Sequence, residues 1–70
     1  VAQGPKRIAQ KVGEEGLEVA LASTGGEDIE VIAESADLLY HLLLLLKSRN
    51  LSLERVVREL ESRHAHRAQT

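Results

Sequence analysis

The chain of 70 residues contains no cysteine, methionine, tryptophan or phenylalanine. Without cysteine there are no disulfides and no thiolate metal sites, a composition that fits a reducing cytoplasm. The one aromatic residue, Tyr40, excludes the stacking platforms of single-strand nucleic-acid binders. Nine Lys and Arg against eleven Asp and Glu leave a net charge of −2, which argues against a nucleic-acid interface. The longest apolar run, Leu42 to Leu46, falls far short of the roughly 20 residues that cross a bilayer, so no membrane partner is expected. No signal peptide is visible. There is no initiator methionine and Val1 opens in mid-pattern, so an upstream segment is expected. A chain of this length supports one domain, 1–70, whose own core supplies only about 3–5 kcal/mol, so oligomerisation is expected.

The residues that are present read as helices. Gly4-Pro5 starts the first, with Pro5 at the position where a missing N–H costs nothing. Ile8, Val12, Val19 and Ala22 then recur on one face until Ser23-Thr24-Gly25-Gly26, which predicts a helix over Pro5–Ser23. Gly13 and Gly16 are weak helix formers inside it and suggest close approach by a neighbouring backbone or a ligand. Asp28 or Glu27 is a plausible N-cap for a second helix over Asp28–Ser48, with Asn50 as its stop. Leucines surround nearly its whole circumference, which demands burial all round, and two short helices cannot supply it. Ser52 caps a third helix over Leu53–His64, with Leu53, Val56, Val57 and Leu60 on its buried side and a frayed tail beyond. The expected fold is all-α: an antiparallel helical hairpin plus a short third helix, joined with a second copy into a dimeric bundle.

Within this pattern stand two acidic clusters, Glu14-Glu15-Gly16-Leu17-Glu18 and Glu34-Ser35-Ala36-Asp37. Each holds a carboxylate pair at i, i+3, on one side of a helix. Glu15 falls within the apolar stripe of the first helix, Glu18 at its edge and Glu14 further round. A tight Gly-Gly connection would set Glu15 and Glu18 against Glu34 and Asp37. At about 5 Å and an effective dielectric near 20, each like-charge pair costs roughly 3 kcal/mol. Either some of these acids are protonated or a cation neutralises them; solvent-facing positions are the plain alternative. Oxygen-only ligands suit a hard ion, Mg²⁺ first and Mn²⁺ as substitute, and such an ion directs attention to polyphosphate substrates. By elimination, Glu14 is the candidate to orient or deprotonate an attacking water. Lys11, closest in angle to the acids, is a candidate phosphate ligand. Lys6 and Arg7 are further candidates, or else a solvated basic first turn. On the second helix Glu30, Glu34, Asp37 and His41 form a polar strip at i, i+4, i+7, i+11; His41 is placed to touch a ligand or to be a satisfied buried histidine, and Tyr40 is expected in the core.

The strings GPKRIAQKVGEEGLE over residues 4–18 and ESADLLYHLL over residues 34–43 closely resemble the phosphoribosyl-ATP pyrophosphohydrolase family. That family belongs to the all-α NTP pyrophosphohydrolase superfamily, with the MazG and dimeric dUTPase proteins, whose signature is EExxE followed by ExxD. The resemblance covers about residues 4–60. It implies Mg²⁺-dependent hydrolysis of phosphoribosyl-ATP between the α and β phosphates, the second step of histidine biosynthesis. By position it makes Glu15, Glu18, Glu34 and Asp37 metal ligands and Glu14 the remaining signature acid. It implies a homodimer and a fusion to, or cooperation with, phosphoribosyl-AMP cyclohydrolase, of which this chain would be the C-terminal neighbour. Family members usually carry a further helical segment before the Gly-Pro, where this chain has Val1-Ala2-Gln3. Two alternatives remain open: a house-cleaning enzyme for noncanonical NTPs, and a non-catalytic dimerisation module.

Overall fold

A computed structural model describes residues 4–68, in three helices: α1, Pro5–Gly25; α2, Asp28–Ser48; and α3, Leu53–Ala68. Among the described residues there is no strand. Pro5 occupies the first turn of α1 as expected. The helix runs two residues past Ser23, because the turn-forming hydroxyls are satisfied within it. Ser23 Oγ donates to the Ala20 carbonyl at 2.7 Å and Thr24 Oγ1 to that of Leu21 at 2.9 Å.

The connection is two residues long, Gly26 and Glu27. Glu27, rather than Asp28, is the N-cap of α2, in a reciprocal capping box with Glu30. Its backbone N–H donates to Glu30 Oε1 at 2.8 Å. That carboxylate leaves no room for a side chain at position 26: a Cβ there would lie 2.8 Å from Glu30 Oε1 and 2.9 Å from the Ala22 carbonyl oxygen. A tight hairpin therefore needs glycine at this point.

Asn50 ends α2 as expected, in the left-handed region at φ 60°. Leu51 N–H reaches back to the Leu46 carbonyl at 2.8 Å and Asn50 N–H to that of Lys47 at 3.0 Å. These two bonds form a Schellman motif, which turns the chain into α3. Ser52 Oγ accepts from Arg55 N–H at 3.3 Å, the expected cap. α3 continues through His64 to Ala68, instead of fraying at His64. Its exposed face carries the pairs Arg63–Glu59 (2.9 Å) and Arg58–Glu54 (3.4 Å), each an i, i+4 pair worth about 0.3–0.5 kcal/mol. The last two residues of the expected tail lie outside the described residues.

α1 and α2 pack against each other along an antiparallel seam, whereas α3 touches the hairpin only slightly. Ile8 and Leu46 are buried; Val12, Val19, Ala22, Val31, Leu38, Leu42 and Leu45 are half-buried. Two expectations change here. Leu53, Val57 and Leu60 are exposed in the single chain because α3 swings away from the hairpin, and only Val56 is half-buried. Tyr40 is also exposed, since it projects from the side of α2 opposite the seam. The glycines at 13 and 16 have open space where a Cβ would be, so among the described residues nothing beyond their own helix backbone approaches them closely.

The molecule measures 39 × 33 × 15 Å. Helices with side chains are about 10–12 Å thick, so the described chain is a single layer. Domains bury their apolar faces between at least two layers. Here Ile29, Ile32, Leu39, Tyr40 and Leu43 on α2 and Leu17 and Leu21 on α1 remain exposed.

Candidate active site

The seam between α1 and α2 contains one charged residue at its centre. Glu15 sits in the stripe formed by Ile8, Val12, Val19 and Ala22, and is 5 % exposed. A carboxylate in such a place must be paired or hydrogen-bonded. Its Oε1 lies 2.7 Å from Nδ1 of His41 on the opposing helix. Its Oε2 faces Lys11 Nζ at 3.8 Å, an ion pair too long for a hydrogen bond. His41 Nδ1 is also 3.2 Å from the carbonyl oxygen of Asp37. A carbonyl oxygen only accepts, so the proton between them resides on Nδ1, which donates to both oxygens. His41 thus resolves toward the satisfied histidine, and Lys11, Glu15 and His41 form one contact group.

The remaining acids surround this group. Glu34 is half-buried, while Glu14, Glu18 and Asp37 are exposed. The Glu34 carboxyl is held above its ordinary value of 4.5. Loss of hydration is the largest cause, followed by the charges of Glu18, Asp37, Glu15 and Glu30. The hairpin therefore places both acidic clusters within electrostatic reach of one another. Glu14 stands apart from that set and accepts a hydrogen bond from Gln10 Nε2 at 3.0 Å. Among the described residues, no three carboxylate or imidazole groups converge on one point as placed. Lys6 lies elsewhere, about 13 Å along α1 from Glu15 at 1.5 Å per residue. There it lines a groove of about 410 Å³ with Pro5, Ala9, Leu45, Ser48 and Arg49, at the open end of the hairpin.

Two features of this site exceed the sequence reading. The direct bond between His41 and Glu15 was not anticipated, although His41 lies one turn from Asp37 and two from Glu34 on the same strip. Glu30, read only as part of that strip, adds to the field on Glu34 while its side chain serves the α2 cap.

The chain as a whole has relatives among known proteins. A family model described as phosphoribosyl-ATP pyrophosphohydrolase matches residues 1–64. The chain belongs to the phosphoribosyl-ATP pyrophosphohydrolase family. It is 60 % identical over 63 residues to the histidine biosynthesis bifunctional protein HisIE of Vibrio parahaemolyticus, covering 90 % of this chain and 30 % of that protein. Against the HisIE protein of Vibrio cholerae the identity is also 60 % over 63 residues, with the same coverage. Against that of Xanthomonas campestris it is 61 % over 62 residues, covering 89 % of this chain and 30 % of the relative. The chain thus spans about a third of the length of these relatives. Among the described residues, no helix is long and apolar enough to cross a membrane.

For this member of the phosphoribosyl-ATP pyrophosphohydrolase family, the crowding at Glu34 has a testable consequence. A carboxyl whose pKa is raised by folding binds its proton more tightly in the folded state. Its relative stabilisation is complete below 4.5 and is lost as pH rises through the raised value. Glu34→Gln removes that penalty on the ionised form. The metal-free variant is expected to melt above the wild type at neutral pH, with the two curves converging near about pH 4. Equal melting temperatures at neutral pH would contradict the crowding.

Proposed function

We propose that this chain hydrolyses phosphoribosyl-ATP between its α and β phosphates, yielding phosphoribosyl-AMP and pyrophosphate in histidine biosynthesis. The observation that carries the reading is the family match over residues 1–64, with the signature acids Glu14, Glu15, Glu18, Glu34 and Asp37 all present. In this reading Glu15, Glu18, Glu34 and Asp37 hold Mg²⁺, with Mn²⁺ as a substitute. The donor set fits, since it offers only carboxylate oxygens, the ligands of hard cations. Desolvation first, then the charges of Glu18, Asp37, Glu15 and Glu30, raise the proton affinity of Glu34, and a cation among these acids would offset that repulsion. Because Glu18 and Asp37 are exposed, their side chains are free to turn toward Glu15 and Glu34. Bound Mg²⁺ supplies polarisation of phosphoryl oxygens and neutralises their charge.

The chain's own groups supply the rest. Glu14, exposed and one residue from the ligand set, orients or deprotonates the attacking water. Lys11 moves its ammonium from Glu15 to a substrate phosphate, and Lys6, beside Arg49 on the groove, meets the far end of the long nucleotide. His41 acts on Glu15, as argued below. The exposed apolar faces of α1 and α2 pair with those of a second copy, giving a homodimer. The relatives are bifunctional proteins of histidine biosynthesis, in keeping with fusion to, or cooperation with, phosphoribosyl-AMP cyclohydrolase, and we place the activity in the cytoplasm.

Pyrophosphate release from phosphoribosyl-ATP, compared with a panel of dNTPs and with and without Mg²⁺, tests the proposal. Metal-dependent turnover of phosphoribosyl-ATP above all dNTPs is expected. Preference for a dNTP would move the chain to the house-cleaning branch. One observation favours a non-catalytic assembly module instead: among the described residues, the acids do not converge as placed. That reading predicts no turnover of any of these substrates.

A further inference from the structure

We propose that His41 is a positioning residue, whose Nδ1–H fixes the Glu15 carboxylate by Oε1 and leaves Oε2 for the cation. This inference rests on the metal-site reading above. The two contacts to Nδ1 have different origins. The Asp37 carbonyl, at 3.2 Å, belongs to the preceding turn of α2, so it fixes the imidazole relative to its own helix. Glu15 Oε1, at 2.7 Å, belongs to α1, 26 residues away in the chain. The ring is therefore held by the backbone beside one proposed ligand, Asp37, while it holds the side chain of another, Glu15. One hydrogen bond sets the relation between the two acidic clusters.

Burial strengthens this effect. The side chains of Glu15 and His41 are 6 % and 15 % exposed, so little water competes for the bond. Among the described residues Glu15 Oε2 makes no hydrogen bond; its neighbour is Lys11 at 3.8 Å. A glutamate has several rotatable bonds, and unrestrained it loses rotamer freedom each time it binds an ion. Held through one oxygen, it presents the other in a set direction. Among the described residues His41 Nε2 makes no hydrogen bond, so the ring's role within the chain is carried by Nδ1.

Three variants of the full chain separate this role from direct contact with substrate: His41→Phe, His41→Asn and His41→Gln. The readouts are Mn²⁺ affinity, measured with the metal alone by electron paramagnetic resonance, and the thermal midpoint. An asparagine amide nitrogen falls near the place of histidine Nδ1, whereas a glutamine amide nitrogen falls near that of Nε2. His41→Phe is expected to weaken Mn²⁺ binding about ten- to a hundred-fold, the usual effect of losing a group that orients a ligand. His41→Asn is expected to recover most of that loss and His41→Gln little of it. Rescue by Gln rather than Asn would overturn the proposal. So would His41→Phe binding Mn²⁺ within two-fold of wild type, even with a lowered thermal midpoint, since the bond would then be structural only. If His41→Phe does not fold, the order of Asn and Gln decides. Failure of the wild type to bind Mn²⁺ overturns the metal-site reading itself, an outcome distinct from the others.

Discussion

Glu15→Gln is expected to lower Mg²⁺-dependent pyrophosphate release from phosphoribosyl-ATP by more than a hundred-fold, with the helical circular dichroism spectrum preserved. The magnitude follows from the position of the residue. Loss of a group that only orients a metal ligand costs about ten- to a hundred-fold, and loss of a ligand should exceed that. Gln has the shape of Glu and retains an oxygen for the Nδ1–H of His41, so the 2.7 Å contact across the seam has a replacement. What disappears is the negative charge that faces Lys11 and is proposed to face the cation. Lys11, which loses its partner, is 29 % exposed and stays partly hydrated, so the fold should persist. Unchanged turnover would remove Glu15 from the chemistry and overturn its assignment as a metal ligand.

The second large effect concerns the exposed faces. Ile32→Glu combined with Leu43→Glu is expected to convert the proposed dimer into a monomer without stable tertiary structure, as judged by light scattering and thermal melts at several concentrations. Glutamate is a good helix former, so the substitutions do not act through local propensity. They act on surface that the single chain leaves uncovered. The accessible surface is 5741 Å². A compact monomer of this mass would expose about 4,300 Å². The excess of about 1,400 Å² is more than the roughly 800 Å² per partner of a standard interface. The radius of gyration, 14.5 Å, points the same way, since a compact chain of this length would have about 11 Å. Among the described residues only Ile8 and Leu46 are buried apolar residues, too small a core for a stable monomer. A wild-type dimer should also melt at a temperature that rises with protein concentration. A doubly substituted chain that stays folded and melts like the wild type would refute the pairing.

Much of this was legible in the residues, for physical reasons that differ by element. Periodicity located all three helices, and the starts at Pro5, Asp28 and Leu53 were given by proline, a capping acid and a capping serine. The ends were less certain because they depend on side-chain bonds that pattern does not encode. Ser23 and Thr24 look like turn formers and instead bond back into the last turn of α1. α3 continues to Ala68, beyond Leu60, its last large apolar residue, and the Glu59–Arg63 pair supports it just past that point. Burial was misjudged where an amphipathic face has no partner in the chain, at Tyr40, Leu53, Val57 and Leu60. For the site, angular position alone put Glu15 in the seam, where it is buried, whereas Glu18 and Glu14, read as edge and outside, are both exposed. The choice of His41 as the partner of Glu15 needed the register of two helices, which a single sequence does not state.

The central claim is that carboxylates from α1 and α2 gather one hard cation at the middle of the hairpin. Titration of the ¹⁵N-labelled chain with substoichiometric Mn²⁺, followed by paramagnetic broadening of its amide resonances, tests it most directly. Broadening centred on Glu15, Glu18, Glu34 and Asp37, and displaced by excess Mg²⁺, is the predicted result. Broadening centred on the α3 acids Glu54, Glu59 and Glu61, or none at all, would contradict the account.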